Sequence, residues 1–585
     1  MPSHVGPPHL VTSAGPIKST PSRPSAKNML YFFIVSTFIA ASTAIGAKTS
    51  NLGPVVDLGY AAYAGNTTSP TGVDNGPVAF YGNIRYAQPP LGNLRFRAPA
   101  PLDETTTASQ VLDARDWGPA CIQRPATVGI GSEDCLTLNV WKPTNASAAD
   151  ALPVAVYIHG GGFYYGTPQG FPMYDWVAQH AGGIVAVSIT YRLNLLGFIG
   201  GPVVAADGDL NTGLLDQRAG LEWVQRHISR FGGNPANVTI YGESAGGASV
   251  VMQIAAYGGT KPVPFRRATA QSIGFGPTNT EAQTDAFFAS AAQFVGCPAS
   301  GSEAMPCMRN ASLGAIVSAI NRIPNGAFAP VIEGPGGFLP DLPSRLIAAG
   351  KFTNVEFVGG HCTGDGKTFA GGRPDDFQTD DDIRRIVFSR WPGVSNATID
   401  KALAIYPEPG ALGSPFATEW DRASTMAGEI IFTCMDWFLA EKLTSNGVEN
   451  IFSYSWNAPD TVLFNQAPYR GAVHTSDLYY LFDGTNTIAN AGNTFTPFNT
   501  SEAVLSREAI AYWTSFTATG NPSADKESIS PTWESFVGPD SSRRRLVLTR
   551  GNNTATNSTM ESITEAKIQR CQFWMSADVV AETRV

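Results

Sequence analysis

The pentapeptide Gly242-Glu243-Ser244-Ala245-Gly246 sets a serine between two glycines, the residue pattern of a nucleophile elbow. A strand must enter such a turn and a helix must leave it, so a Cβ at either glycine would collide with one or the other. The turn holds the Ser244 hydroxyl at a helix N-terminus, placed for attack on an electrophilic carbonyl. Sixty of the 585 residues are glycine, so chance could supply the same five letters. The reading therefore stands or falls on the other parts of a site.

A serine hydroxyl is a weak nucleophile until a base takes its proton, and histidine is the usual base. The chain has seven histidines. His4 and His9 precede an apolar leader, His180 and His227 fall in helical stretches upstream of the elbow, and His159 opens a glycine run. His361 and His474 follow Ser244, and the chain order nucleophile, acid, base favours His474, in the loop from Tyr469 to His474. The acid must be buried at the end of a strand and accept the imidazole N–H. Asp365 leads among several carboxylates, because a strand at Val355 to Val358 is expected to run into the Gly-rich turn that contains it. The runs Asp375-Asp376 and Asp380-Asp381-Asp382 read as a solvated face. Glu243 is expected to point into the structure and support the turn.

The third requirement is an oxyanion hole. His159-Gly160-Gly161-Gly162-Phe163 follows an apolar run, and the N–H groups of Gly161 and Gly162 could approach a developing oxyanion with no side chain in the way. Ala245, directly after the nucleophile, would supply a third donor. There is no Walker sequence, no GxGxxG after a strand, no His-Glu-x-x-His and no paired CxxC, so neither a cofactor nor a metal is expected.

These parts need a scaffold. Leu152 to Ile158 and Ile184 to Ile189 read as buried strands, as does Val238 to Tyr241 before the elbow. Asp216 to Phe231 carries Leu221, Val224, Ile228 and Phe231 at helical spacing. Ile451 to Trp456 reads as a further strand, and Glu502 to Phe516 as a helix. Alternating strand and helix signals imply an α/β fold with a largely parallel central sheet. Thr278 to Pro343 is less regular and is expected to form excursions at the sheet's carboxyl edge. No linker or repeat divides the chain after the leader, so residues 48–585 are read as one domain and 1–47 as the leader.

Within that leader, Met29 to Ala47 is a long apolar segment preceded by Lys18, Arg23 and Lys27. Its serines and threonines favour a cleaved signal peptide, with a signal anchor as the alternative. Seven cysteines suit an oxidising compartment; Cys121/Cys135 and Cys297/Cys307 are close enough in sequence to close short loops. Sequons stand at Asn66, Asn145, Asn237, Asn310, Asn396, Asn499, Asn552 and Asn557. Net charge is −9 and pI about 5.4, which argues against nucleic acid and anionic membranes as partners. Arg543-Arg544-Arg545 is read as a solvated loop. The sequence is silent on oligomeric state.

Several blocks resemble the type-B carboxylesterase/lipase family, the group that includes cholinesterases and fungal lipases. They are Phe80 to Ala87 with Pro89 to Phe96, Ser132 to Val140, Asn211 to Gly246, and Gly471 to Phe482. The resemblance spans residues 52–585 and implies an α/β-hydrolase fold. By it Ser244 is the nucleophile, His474 the base, and Gly161, Gly162 and Ala245 the oxyanion donors. The family usually carries Glu in an Asp-Glu-Gly acid loop; here Gly364-Asp365-Gly366 occupies that position, so Asp365 would be the acid. The resemblance also implies disulfides Cys121–Cys135, Cys297–Cys307 and Cys434–Cys571, with Cys362 free.

Cholinesterase-like members hold a tryptophan inside the first disulfide loop, but residues 122–134 contain no aromatic residue, so choline esters are not expected. In the family's fungal lipases the same loop is a long amphipathic lid, for which this segment is a poor match. The expectation is a secreted serine hydrolase of soluble or moderately lipophilic carboxylic esters. The alternatives are a triacylglycerol lipase, a hydrolase of natural-product esters, lactones or thioesters, and a catalytically silent adhesion relative.

Overall fold

In the computed structural model, which describes residues 48–68, 76–107, 109–485, 495–538 and 541–585, the chain is built around one large sheet. Residues 1–47, read from sequence as the leader, lie outside the described residues. Among the described residues the sheet has ten strands. In chain order these are β1 (Val78–Arg85), β2 (Thr137–Pro143), β3 (Leu152–Ile158), β4 (Val185–Ile189), β5 (Gly233–Glu243), β6 (Arg267–Gln271), β7 (Glu356–Cys362), β8 (Ile451–Trp456), β9 (Arg544–Leu548) and β10 (Thr559–Ser562). Their spatial order is β10-β9-β8-β7-β6-β5-β3-β4-β2-β1. Every pairing from β9 across to β4 is parallel, and only the outer strands run antiparallel.

Strands covered on both faces read as largely apolar runs, as β3 and β4 do. In β5, Val238 and Ile240 join Leu221 and Val224 in one core layer, while Tyr241 faces the other with Trp176 and Trp513. That is the period-two alternation of a strand serving two cores at once. The first layer includes helices α1 (Thr212–His227) and α2 (Ala245–Ile254). The second is closed by α3 (Thr500–Thr519), whose N-terminus is capped reciprocally by Asn499 and Glu502. The Tyr241 hydroxyl donates to the Trp513 carbonyl at 2.9 Å, tying β5 to α3.

Three local expectations change. The Gly-rich segment after Val358 is not a turn but the second half of β7, which runs to Cys362. A Cβ at Gly359 would sit 1.7 Å from Asp436 Oδ1, and one at Gly360 would sit 2.1 Å from Tyr454 Cδ1, so glycine lets neighbouring groups press onto the strand. The irregular stretch contains three helices, Glu281–Val295, Ala304–Asn310 and Leu313–Arg322. The basic run is not solvated: Arg543 pairs with Glu441, Arg544 with Glu534, and buried Arg545 with Glu561.

The elbow is tightly packed against backbone. A Cβ on Gly246 would stand 2.1 Å from the Ile158 carbonyl oxygen, and one on Gly242 would stand 2.4 Å from Gly246 itself. Both neighbours are backbone and cannot swing aside. Gly246→Ala should therefore lower the thermal midpoint at fixed scan rate, costing about 3 kcal/mol or more, although helix propensity alone would predict a gain of up to about 1 kcal/mol. Gly314→Ala, in a helix and with no atom within 4 Å of the added carbon, should be neutral or slightly stabilising. Equal midpoints for the two variants would refute the packing argument.

Candidate active site

Ser244 sits between β5 and α2 at φ 59° and ψ −121°, outside the regions ordinary residues prefer. Three backbone bonds hold it there. Its N–H donates to Gln271 O at 3.0 Å, and its carbonyl accepts from Ala248 and Gly274 N–H at 2.9 and 3.0 Å. The side chain is only half-buried, so the hydroxyl projects from the carboxyl end of the sheet into open space.

His474, from a loop beyond β8, reaches this hydroxyl, and Asp365, just beyond β7, reaches the histidine. His474 Nε2 lies 2.9 Å from Ser244 Oγ, and its Nδ1 lies 2.8 Å from Asp365 Oδ1. Asp365 follows β7 and begins a short helix, Asp365–Phe369, with its carboxylate buried. Its second oxygen, Oδ2, accepts from Ser272 Oγ and Cys362 N–H, both at 2.9 Å. The acid is thus held by two strand-end loops before it meets the histidine. The Gly364 N–H donates to the Ala472 carbonyl at 2.8 Å, joining the acid loop directly to the histidine loop. Phe369 packs edge-on against the imidazole at 4.9 Å between ring centres, and Phe432 lies against it at 4.6 Å.

Two further carboxylates surround this pair, and neither was assigned a contact from sequence. Glu243 Oε1 approaches His474 Nε2 to 3.2 Å without hydrogen-bond alignment, so Glu243 faces the site as well as the turn. Asp477 is fully buried one turn beyond His474 and accepts from Gln271 and Tyr454 at 2.9 and 3.0 Å. Burial alone would lower the His474 pKa, but Glu243, Asp365 and Asp477 outweigh it and raise the imidazole above its ordinary value. Burial likewise raises the Glu243 carboxyl, against the pull of the imidazole. A signal was available for Glu243, since a carboxylate next to the elbow serine cannot lie far from the base. None was available for Asp477, whose partners come from β6 and β8.

Gly161 and Gly162 curl beneath the serine in left-handed conformations, with φ 105° and 60°. Among the described residues, the N–H groups of Gly161, Gly162 and Ala245 donate to no protein acceptor. Three unspent donors therefore border the space in front of Ser244 Oγ. That space divides into two chambers that share Ser244, Gly162, Tyr164 and Phe369. One, of about 110 Å³, includes His474, Thr475 and Glu243. The other, of about 500 Å³, includes Ala245 and a largely apolar wall with Phe275, Ile431 and Phe432. A cavity of about 540 Å³ beside the Cys434–Cys571 bond touches none of these groups.

His159 and His361 are occupied elsewhere. His159 stacks on Tyr191 at 4.4 Å, and burial pushes its pKa down to about 4. His361 is buried beside Asp436 and Arg545. Disulfides join Cys121 to Cys135, Cys297 to Cys307 and Cys434 to Cys571, and Cys362 is free and buried. Asn145, Asn310, Asn396, Asn499, Asn552 and Asn557 are exposed and Asn66 is half-buried. Asn237 instead bonds Arg267 and the Ala518 carbonyl. Among the described residues no group of three His, Cys, Asp or Glu is placed to hold a metal ion, and no helix is long and apolar enough to cross a membrane.

Comparison with known proteins agrees with this architecture. The family model described as the carboxylesterase family matches residues 53–574. Lipase 2 of Geotrichum candidum is 30% identical over 471 residues, covering 71% of this chain and 82% of that protein. A secreted lipase of Arthroderma benhamiae is 29% identical over 84% of this chain and 88% of its own length. The crystal structure of Aspergillus niger EstA superposes with a TM-score of 0.78 at 28% identity, covering 92% of this chain and all of that one. The fold is that of the α/β hydrolases, and the chain belongs to the carboxylesterase family of ester hydrolases.

Proposed function

We propose that this chain is a secreted serine carboxylic-ester hydrolase in which Ser244 is the nucleophile, His474 the base and Asp365 the acid. The contact that carries the reading is the unbroken line from Ser244 Oγ to His474 Nε2 and from His474 Nδ1 to Asp365 Oδ1. Ser244 Oγ bonds to the ester carbonyl carbon as its proton passes to Nε2. The carbonyl oxygen becomes an oxyanion facing the N–H groups of Gly161, Gly162 and Ala245. Collapse breaks the bond to the alcohol oxygen, which takes the proton from Nε2. Water then attacks the acyl-enzyme by the same route, releasing the carboxylic acid and restoring Ser244. Asp365, fixed by Ser272 and Cys362 N–H, holds the tautomer with the proton on Nδ1.

The proton donated by His474 also orients the substrate. The leaving oxygen must lie near Nε2, and His474 borders the smaller chamber only. The alcohol portion is therefore assigned to that chamber and the acyl portion to the larger one. This favours esters of small alcohols with sizeable acyl groups. The lipase names of two relatives support a second reading, hydrolysis at a lipid surface. The loop between Cys121 and Cys135 speaks against it. Asn321 bonds both Ala126 O and Ala126 N, at 2.7 and 2.9 Å, and Arg124 bonds the Ile323 carbonyl, so this loop is pinned and not a swinging flap. Secretion is supported by the leader composition, the exposed sequons and the secreted relative.

Two experiments test the reading. In an ester panel run with wild type and Ser244→Ala in parallel, kcat should fall roughly 10⁵- to 10⁶-fold in the variant with the thermal midpoint retained. Wild-type rates on dissolved short esters should rise smoothly with concentration; a jump at the solubility limit would favour the lipase reading. The second experiment is a pH profile. Activity requires neutral His474, so it is lost as pH falls through the raised imidazole pKa. Glu243→Gln removes one of the raising carboxylates and should move the acid limb of kcat/KM about one unit lower. An unshifted limb would mean that Glu243 places no charge on the imidazole.

A further inference from the structure

The larger chamber holds one charged side chain. Arg390, from the single turn Phe388–Arg390, lines the same space as Ser244, and no aspartate or glutamate lines that space with it. Among the described residues its guanidinium donates to no carboxylate, carbonyl or hydroxyl. The guanidinium lies over the face of Phe369, whose ring centre is 5.5 Å from the guanidinium carbon. Several buried arginines of this structure are neutralised: Arg192 by Asp216, Arg95 by Glu133, Arg570 by Glu429. Arg390 is exposed and has no such partner, and it borders a chamber whose wall is mainly apolar, with Phe275, Phe287 and Ile431, but also carries Asn279 and Asn325. The surrounding protein lowers its pKa, and the Tyr164 phenol is the one group that opposes this.

Phe369 ties this cation to the chemistry. Its ring lies 4.9 Å from the His474 imidazole and 5.5 Å from the Arg390 guanidinium, which caps the distance between base and cation at the sum of the two. A short acyl chain entering the larger chamber from Ser244 would carry its far end to Arg390. A pocket with largely apolar walls and one unpaired guanidinium on its exposed side favours a ligand that is apolar along its length and anionic at its end.

We propose that Arg390 is a specificity-determining residue, and that the preferred substrates are half-esters of short dicarboxylic acids whose free carboxylate pairs with its guanidinium. This rests on the assignment of Ser244 and of the acyl group to the larger chamber. The alcohol would be small, as the smaller chamber requires, and the products would be a dicarboxylate and that alcohol.

The test compares monoethyl adipate with ethyl hexanoate, followed by pH-stat, in wild type, Arg390→Met and Arg390→Lys. Ethyl acetate, whose acyl group is too short to reach Arg390, serves as the reference. Wild type should favour the adipate half-ester. Arg390→Met should raise KM for that ester about 10- to 100-fold, leaving kcat nearly unchanged and both neutral esters within about twofold. Arg390→Lys should recover part of the loss by restoring charge without the fork. Equal effects of Arg390→Met on charged and neutral esters, or no effect on either, would overturn the proposal while leaving the hydrolase reading intact. Absence of wild-type turnover of all three ethyl esters would overturn both.

Discussion

A single backbone hydrogen bond, from the Gly364 N–H to the Ala472 carbonyl, joins the loop that carries Asp365 to the loop that carries His474. Those residues are 109 apart in the chain, and their loops leave the sheet at different strands. That tie sets the two loops side by side, within reach of the contact between carboxylate and imidazole. The backbone on both sides fits it: a Cβ on Gly364 would stand 2.7 Å from the Ala472 carbonyl oxygen. Side-chain bonds from Ser272 and the Cys362 N–H then orient the carboxylate. The parallel sheet makes this economical, since its strands deliver Ser244, Ser272 and Asp365 to one edge.

The central strand β5 shows why so much of this was legible from the chain. A buried parallel strand must be apolar on both faces, an elbow must have glycines where backbone meets backbone, and a base must be a histidine. Those are local demands, and each leaves a local trace. Ser244, the Gly161-Gly162 run and β3 are such cases. His474 needed a count of histidines together with chain order. Asp365 needed a strand end, and the strand proved longer than expected, because Gly359 and Gly360 serve side-chain contact and not a turn.

What was not legible is what depends on pairs distant in sequence. Asp477 is one of many acidic residues until Gln271 and Tyr454 close on it. The run Arg543-Arg544-Arg545 looks like a solvated cluster because its partners, Glu441, Glu534 and Glu561, lie on other elements. Arg390 is the converse, an ordinary arginine in the sequence whose interest lies in having no such partner. Its environment has a wider consequence for charge. Around His474 the buried groups are acidic, and they favour the imidazolium that forms during proton transfer. In the larger chamber the fixed charge is positive. The two chambers therefore differ in electrostatic sign as well as in volume.

The claim on which all else rests is that Ser244 is activated through His474. Reaction with a fluorophosphonate, followed by peptide mapping, addresses it most directly, since the probe phosphonylates only a serine whose proton is being taken. The account predicts one adduct, on Ser244, formed rapidly by wild type and lost in His474→Ala. An adduct on another residue, or labelling of Ser244 at the wild-type rate in His474→Ala, would contradict it.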